Sequence, residues 1–131
     1  MLKYFLLALG GALGTVLRYI VSGIDYRLAD GIFPASTLAV NLAGSLGIGF
    51  FWGLFEQVSI SPQTRLFIFM GIFGGFTTFS TFSLENFHLL RDGEYKIALL
   101  NIILSNLFGI ILVFAGYFIA LALINLLVKR G

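Results

Sequence analysis

Long stretches without a charged residue alternate along the chain with short stretches that hold nearly all the charge. Residues 4–17, 31–55, 66–84 and 97–128 contain no Asp, Glu, Lys or Arg, and the first run continues past Arg18 to residue 24. A helix needs about 20 mostly apolar residues to cross the hydrocarbon core. The runs therefore predict four transmembrane helices, at about residues 3–23, 33–56, 65–90 and 96–128. The connections, around 25–34, 57–65 and 91–96, are short, with Ser61-Pro62 and Asp92-Gly93 as turn signals. None has room for a soluble catalytic domain, so no enzyme is expected, and residues 1–131 read as one four-helix domain.

The third run departs from simple lipid-facing helix. From residue 74 it reads GGFTTFSTFSLEN, and the glycine pair followed by Thr77-Thr78 gathers poor helix formers at the centre of a span. This predicts a helix break over residues 74–78. Backbone carbonyls freed at that depth are tolerated only when buried in protein or lining a cavity.

Composition agrees with a membrane location. The chain is 59% apolar and 11% charged, with a mean hydropathy of +1.01, against roughly 25% charge in soluble domains. The fold class is thus an all-α membrane protein. Lys3, the leucines after it and the small residues Gly10, Gly11 and Ala12 loosely fit a secretory signal; three further spans favour a retained first helix. Cysteine is absent, which removes disulfide and thiol chemistry. The net charge of only +2, spread over loop ends, gives no support for nucleic-acid binding.

Lys and Arg normally set orientation. Lys3, Arg65, Lys129 and Arg130 fall on one side of a four-span chain; Arg27, Arg91, Lys96 and a snorkelling Arg18 fall on the other. Four against four gives no bias. Insertion both ways up is expected, and opposed copies would then form an antiparallel, dual-topology homodimer with two-fold symmetry.

Within the spans, Gly10 and Gly14, Gly49 and Gly53, and Gly71 and Gly75 are spaced to let another backbone approach. Thr37, Asn41 and Ser45 share one face of the second helix, and Asn101, Ser105 and Gly109 one face of the fourth. Either asparagine alone is explained by interhelical bonding; together with the third-helix hydroxyls they point to a polar pathway. His88 and Trp52 lie near span ends, where amphipathic rings sit at the interface. Phe79 and Phe82 are three apart, and their electropositive ring edges can stabilise an anion without a fixed cation that would trap it. Packing is the plain alternative for two phenylalanines in a chain with 15 of them. In an antiparallel dimer, two freed carbonyls per chain would meet their mates as a four-oxygen cage for a small hard cation such as Na⁺.

The segment GGFTTFSTFSLE at 74–85 resembles the signature of the Fluc (CrcB) fluoride channel family. The likeness extends to GGALGTVLRY at 10–19, TLAVNLAGS at 37–45 and the Asn101/Ser105 stripe. It implies a four-helix, dual-topology homodimer in the plasma membrane, with two pores that export fluoride passively and so reduce its toxicity. It implies further that Gly74 and Thr77 carbonyls from both subunits hold a structural Na⁺, and that Phe79 and Phe82 form aromatic boxes. Asn41 would donate a hydrogen bond in the pore, Ser80 and Thr81 would line a polar track opposite Ser105, Glu85 would stand near a pore mouth, and Arg18 would attract anions at a vestibule. Some relatives have tyrosine at the position of Asn101 and serine at that of Gly109, so the share of the fourth helix in the track is left open. A small multidrug transporter, also four helices, would resemble a proton exchanger with a buried carboxylate in helix one, and this helix has neither Asp nor Glu. A non-transporting assembly protein would leave the hydroxyl stripes unexplained.

Overall fold

The computed structural model describes residues 1–23 and 32–128; Arg27, Lys129 and Arg130, counted above for orientation, lie outside them. The described residues are all helical or connecting, with four crossings long and apolar enough to span a membrane. Helix α1 is Leu2–Ser22 and α2 is Ala35–Gln57. The third crossing divides into α3, residues 62–76, and α4, Phe79–Arg91. The fourth, α5, is Tyr95–Val128.

Local chemistry fixes the ends. Helix α3 starts at Pro62, three residues before the expected 65, because Ser61 Oγ accepts the Thr64 amide at 3.1 Å and Pro62 occupies the first turn, where a missing N–H costs nothing. Helix α4 closes on Gly93, whose φ of +85° suits glycine. The Glu94 amide bonds the Leu89 carbonyl at 2.8 Å and the Gly93 amide bonds that of Leu90 at 3.3 Å, a Schellman end that satisfies two orphan carbonyls.

Two glycine seams hold the crossings together. On the first, α1 meets α3: a Cβ at Gly10 would lie 2.9 Å from Gly71 Cα, and one at Gly75 would lie 2.6 Å from the Gly11 carbonyl oxygen. A Cβ at Gly14 would collide with the Ile72 carbonyl. On the second, α2 meets the later half of α5: a Cβ at Gly49 would strike the Val113 carbonyl, one at Gly53 would sit 2.9 Å from the Tyr117 carbonyl oxygen, and one at Gly116 would strike the Leu46 carbonyl. Lipid tails are as apolar as leucine, so close van der Waals contact of this kind drives association in a membrane. Between the seams, Phe51 and Phe55 of α2 pack on Phe69 and Phe73 of α3 with centroids 5.9 Å apart.

The break is narrower than the sequence reading and lies beyond the glycine pair. Gly74 and Gly75 are helical; only Thr77 (φ −79°, ψ 156°) and Thr78 (φ −148°, ψ 117°) leave the helix. Glycine costs a helix about 1 kcal/mol, and the contact of Gly75 with the α1 backbone offsets that. Two stretches, Leu66–Phe73 and Leu104–Phe108, are π-helical, the wider turn often found beside functional sites; nothing in the residue pattern announces them.

Candidate functional site

At the break the chain exchanges helical hydrogen bonds for side-chain ones. In a continuous helix the Thr78 amide would bond the Gly74 carbonyl. It bonds Asn41 Oδ1 instead, at 2.8 Å, while Asn41 Nδ2 donates to the Thr78 carbonyl at 3.1 Å. The Asn41 side-chain amide thus pairs with both backbone groups of one residue of the third crossing, as a neighbouring strand would. These two bonds fix the amide's orientation and leave its second N–H available.

Thr78 is also the N-cap of α4. Its Oγ1 accepts the Thr81 amide at 3.3 Å and donates to Thr81 Oγ1 at 2.9 Å, a capping arrangement worth about 1 kcal/mol. The Thr81 amide would otherwise have bonded the Thr77 carbonyl. Both Gly74 and Thr77 carbonyl oxygens are therefore released from helical bonding, by two different side chains. Gly74 is exposed on a face with almost nothing beside it: a Cβ there would find only the Phe69 carbonyl oxygen, at 3.9 Å.

Beside the break lies a groove of about 320 Å³ lined by Asn41, Ser45, Thr78, Phe79, Phe82 and Ser105, among others. It gathers Asn41, Phe79, Phe82 and Ser105 from three crossings. The two rings are 5.7 Å apart and tilted by 41°. Phe82 is buried, whereas Phe79 is 77% exposed and projects from the chain.

Thr78 is also part of the wall of a second cavity, of about 310 Å³, shared by Arg18, Thr37 and Thr81. A third, of about 250 Å³, is lined by Glu85, His88, Asp92 and Glu94. Thr37 connects these two, since its hydroxyl donates to Glu85 Oε1 at 2.6 Å. Arg18 and Glu85 thus occupy different cavities, each open to the surface. At the third cavity's outer end Asp92 is held below the usual carboxylate range by its hydrogen bond from Arg91, 2.8 Å away.

The remaining candidates stand apart from the groove. Ser80 is on an exposed face of α4. Asn101 is 1% exposed and lies behind Ser105, accepting its hydroxyl proton at 3.3 Å; it positions a lining residue and is not itself at the surface of the groove. Asn106, which does line the groove, was not singled out by the sequence; its neighbour stripe, Asn101/Ser105, drew the reading one residue away. His88 faces the third cavity beside Glu85, a placement that its position near a span end did not reveal. Trp52 donates to Glu56 Oε1 at 2.8 Å.

Chemically, the groove offers amide and hydroxyl donors, aromatic edges and no charge, and among the described residues no cluster of His, Asp and Glu is arranged to hold a metal. That combination suits a small anion passing weakly held from donor to donor. Comparison with known proteins points the same way. The family model described as CrcB-like protein, Camphor Resistance (CrcB), matches residues 5–117. A fluoride-specific ion channel FluC from Parabacteroides distasonis is 47% identical over 127 residues, 97% of this chain and 99% of its own length. Those of Pyrococcus abyssi and Salinibacter ruber are 45% identical over 116 residues and 44% over 125, covering 88% and 95% of this chain and 93% and 94% of theirs.

Proposed function

This chain belongs to the CrcB-like protein family, and from that premise we propose how its residues carry fluoride across a membrane. It is a multi-pass membrane protein and a fluoride channel, with full-length relatives named for that activity. The observation that carries the mechanism is the uncharged groove in which Asn41, Ser105, Phe79 and Phe82 converge.

Fluoride is small and strongly hydrated, so a selective path must replace water with many donors. Asn41 offers its second N–H, Ser105 a hydroxyl once it releases Asn101, and the two phenylalanines their electropositive edges. None carries a charge that would hold the ion too long. Arg18, in the adjoining cavity, draws anions toward Thr81, and Glu85 stands at the mouth of the third cavity. Thr81 extends the polar track along α4 into the cavity of Arg18, and Ser80, exposed on the same helix, would join it at the face a second copy covers. Transport is passive, down the ion gradient and membrane potential. Acid surroundings drive uptake as HF, which ionises inside, so a channel in the plasma membrane suffices for export.

The functional unit in this reading is an antiparallel homodimer with two pores. Phe79, 77% exposed in the single chain, and the open face at Gly74 support a mate at the break. The Gly74 and Thr77 carbonyls of two copies would hold Na⁺, since hard cations prefer oxygen and these oxygens are released by the Asn41 and Thr78 bonds. When bound, the ion would neutralise carbonyl dipoles where the copies cross.

Two tests bear on this. Expression in cells lacking their own fluoride exporter restores growth in millimolar fluoride; no rescue by well-expressed protein counts against the channel. A reporter fused to the C-terminus gives signal on both sides of the membrane; signal on one side alone removes dual topology.

A further inference from the structure

Four hydroxyls line the groove: Ser45, Thr77, Thr78 and Ser105. Three already give their protons to the protein. Thr77 Oγ1 donates to the Phe73 carbonyl at 2.9 Å, Thr78 Oγ1 to Thr81 Oγ1 at 2.9 Å and Ser105 Oγ to Asn101 Oδ1 at 3.3 Å. Ser45 donates to none of the described residues. A serine inside a membrane helix ordinarily bonds the carbonyl one turn back, as Ser83 does with Phe79 at 2.9 Å; the corresponding carbonyl for Ser45 is that of Asn41, and no such bond forms. One turn along α2 from Asn41, the Ser45 hydroxyl stands half-buried at the groove with a proton to give.

The fourth crossing keeps space open beside it. Gly109 lies opposite, and a Cβ built there would meet one atom within 4 Å, Ser45 Oγ at 3.5 Å. A hydroxyl or amide side chain at 109 would bring its own acceptor into reach of that hydroxyl. Glycine brings none and leaves volume for a partly dehydrated ion.

We infer that Ser45 is a fluoride-contacting donor, the next hydrogen bond after Asn41 along the path, and that Gly109 keeps it unpaired and accessible. The inference rests on the channel reading and extends it to two residues. An ion leaving the second N–H of Asn41 is received by Ser45 without any internal bond having to break. Ser105, by contrast, must release Asn101 before it can donate.

Single-channel recording of the full chain in planar bilayers tests this. Ser45→Ala lowers fluoride current roughly tenfold, the scale of one hydrogen bond to a charged group, and raises the half-saturating fluoride concentration, while dimer elution and unfolding temperature stay at wild-type values. Ser45→Thr keeps a donor and recovers most of the current. Gly109→Ala, whose methyl meets only ordinary contact, folds normally and gives a smaller fall. Wild-type current and half-saturation in Ser45→Ala would overturn the assignment while leaving the channel reading intact, and so would a loss that Ser45→Thr fails to recover. A wild-type chain without fluoride current would remove both.

Discussion

Residues 62–76 and 79–91 are consecutive parts of one membrane crossing, and small and polar side chains serve opposite ends in them. In the first, Gly71 and Gly75 sit against the backbone of α1, and a Cβ at either would lie within 3.0 Å of an α1 atom. In the second, Phe79 and Phe82 face an open groove together with the capping Thr78, and Phe79 and Ser80 are exposed. The first half is held by contact, the second by directed hydrogen bonds from Asn41 and Thr78. Contact without directed bonds tolerates no added volume, whereas directed bonds leave room for an ion but fail when a donor or acceptor is removed. Perturbing each half should therefore produce a different kind of damage.

The largest effect is expected in the glycine half. Gly75→Leu forces a side chain into the α1 backbone; overpacking a close contact costs on the order of 1–3 kcal/mol or more, and the predicted outcome is loss of a monodisperse peak in detergent. Survival of a stable, conducting Gly75→Leu protein would erase the distinction between the halves. Next comes Asn41→Asp. It removes the N–H that bonds the Thr78 carbonyl and sets a negative charge at the groove, where like charges about 4 Å apart repel by about 4 kcal/mol at intermediate dielectric. Fluoride flux should fall on the order of a hundredfold or more; a fall of less than threefold would place the ion path away from Asn41.

Phe79→Ile and Phe82→Ile keep apolar bulk and remove ring edges. Each is expected to lower flux by about tenfold, the scale of one favourable ion contact, with the elution volume of the wild-type protein retained; unchanged flux in both would return the rings to packing. The smallest effect belongs to Thr78→Val, which deletes a cap worth about 1 kcal/mol. It should lower the unfolding temperature by a few degrees with the wild-type elution volume retained, and an unshifted transition would mean that the break is held by Asn41 alone.

The same division explains what the sequence disclosed. Gly10/Gly14, Gly49/Gly53 and Gly71/Gly75 were legible as contact faces because spacing of four is a property of one helix. Their partners were not. Gly116, which completes the α2–α5 seam, has no glycine four residues away, only Ala120, and the pairing of α1 with α3 is set by three dimensions. The break expected over 74–78 falls at Thr77 and Thr78 alone, and Gly74-Gly75 stays helical because intrinsic propensity is weak beside packing. The break depends on Asn41, distant in sequence, drawing the Thr78 amide away from its helical acceptor. Convergence of Asn41, Phe79, Phe82 and Ser105 could be anticipated from polar stripes. That Ser105 is occupied by Asn101 while Ser45 is not depends on rotamers, and no pattern of residues records those.

The claim that the uncharged groove conducts fluoride is tested most directly by purified protein in liposomes loaded with fluoride or chloride, with efflux followed by ion-selective electrodes. The account predicts rapid fluoride release and chloride release no faster than from protein-free vesicles. Fluoride efflux at the protein-free rate, or chloride efflux equal to that of fluoride, would contradict it.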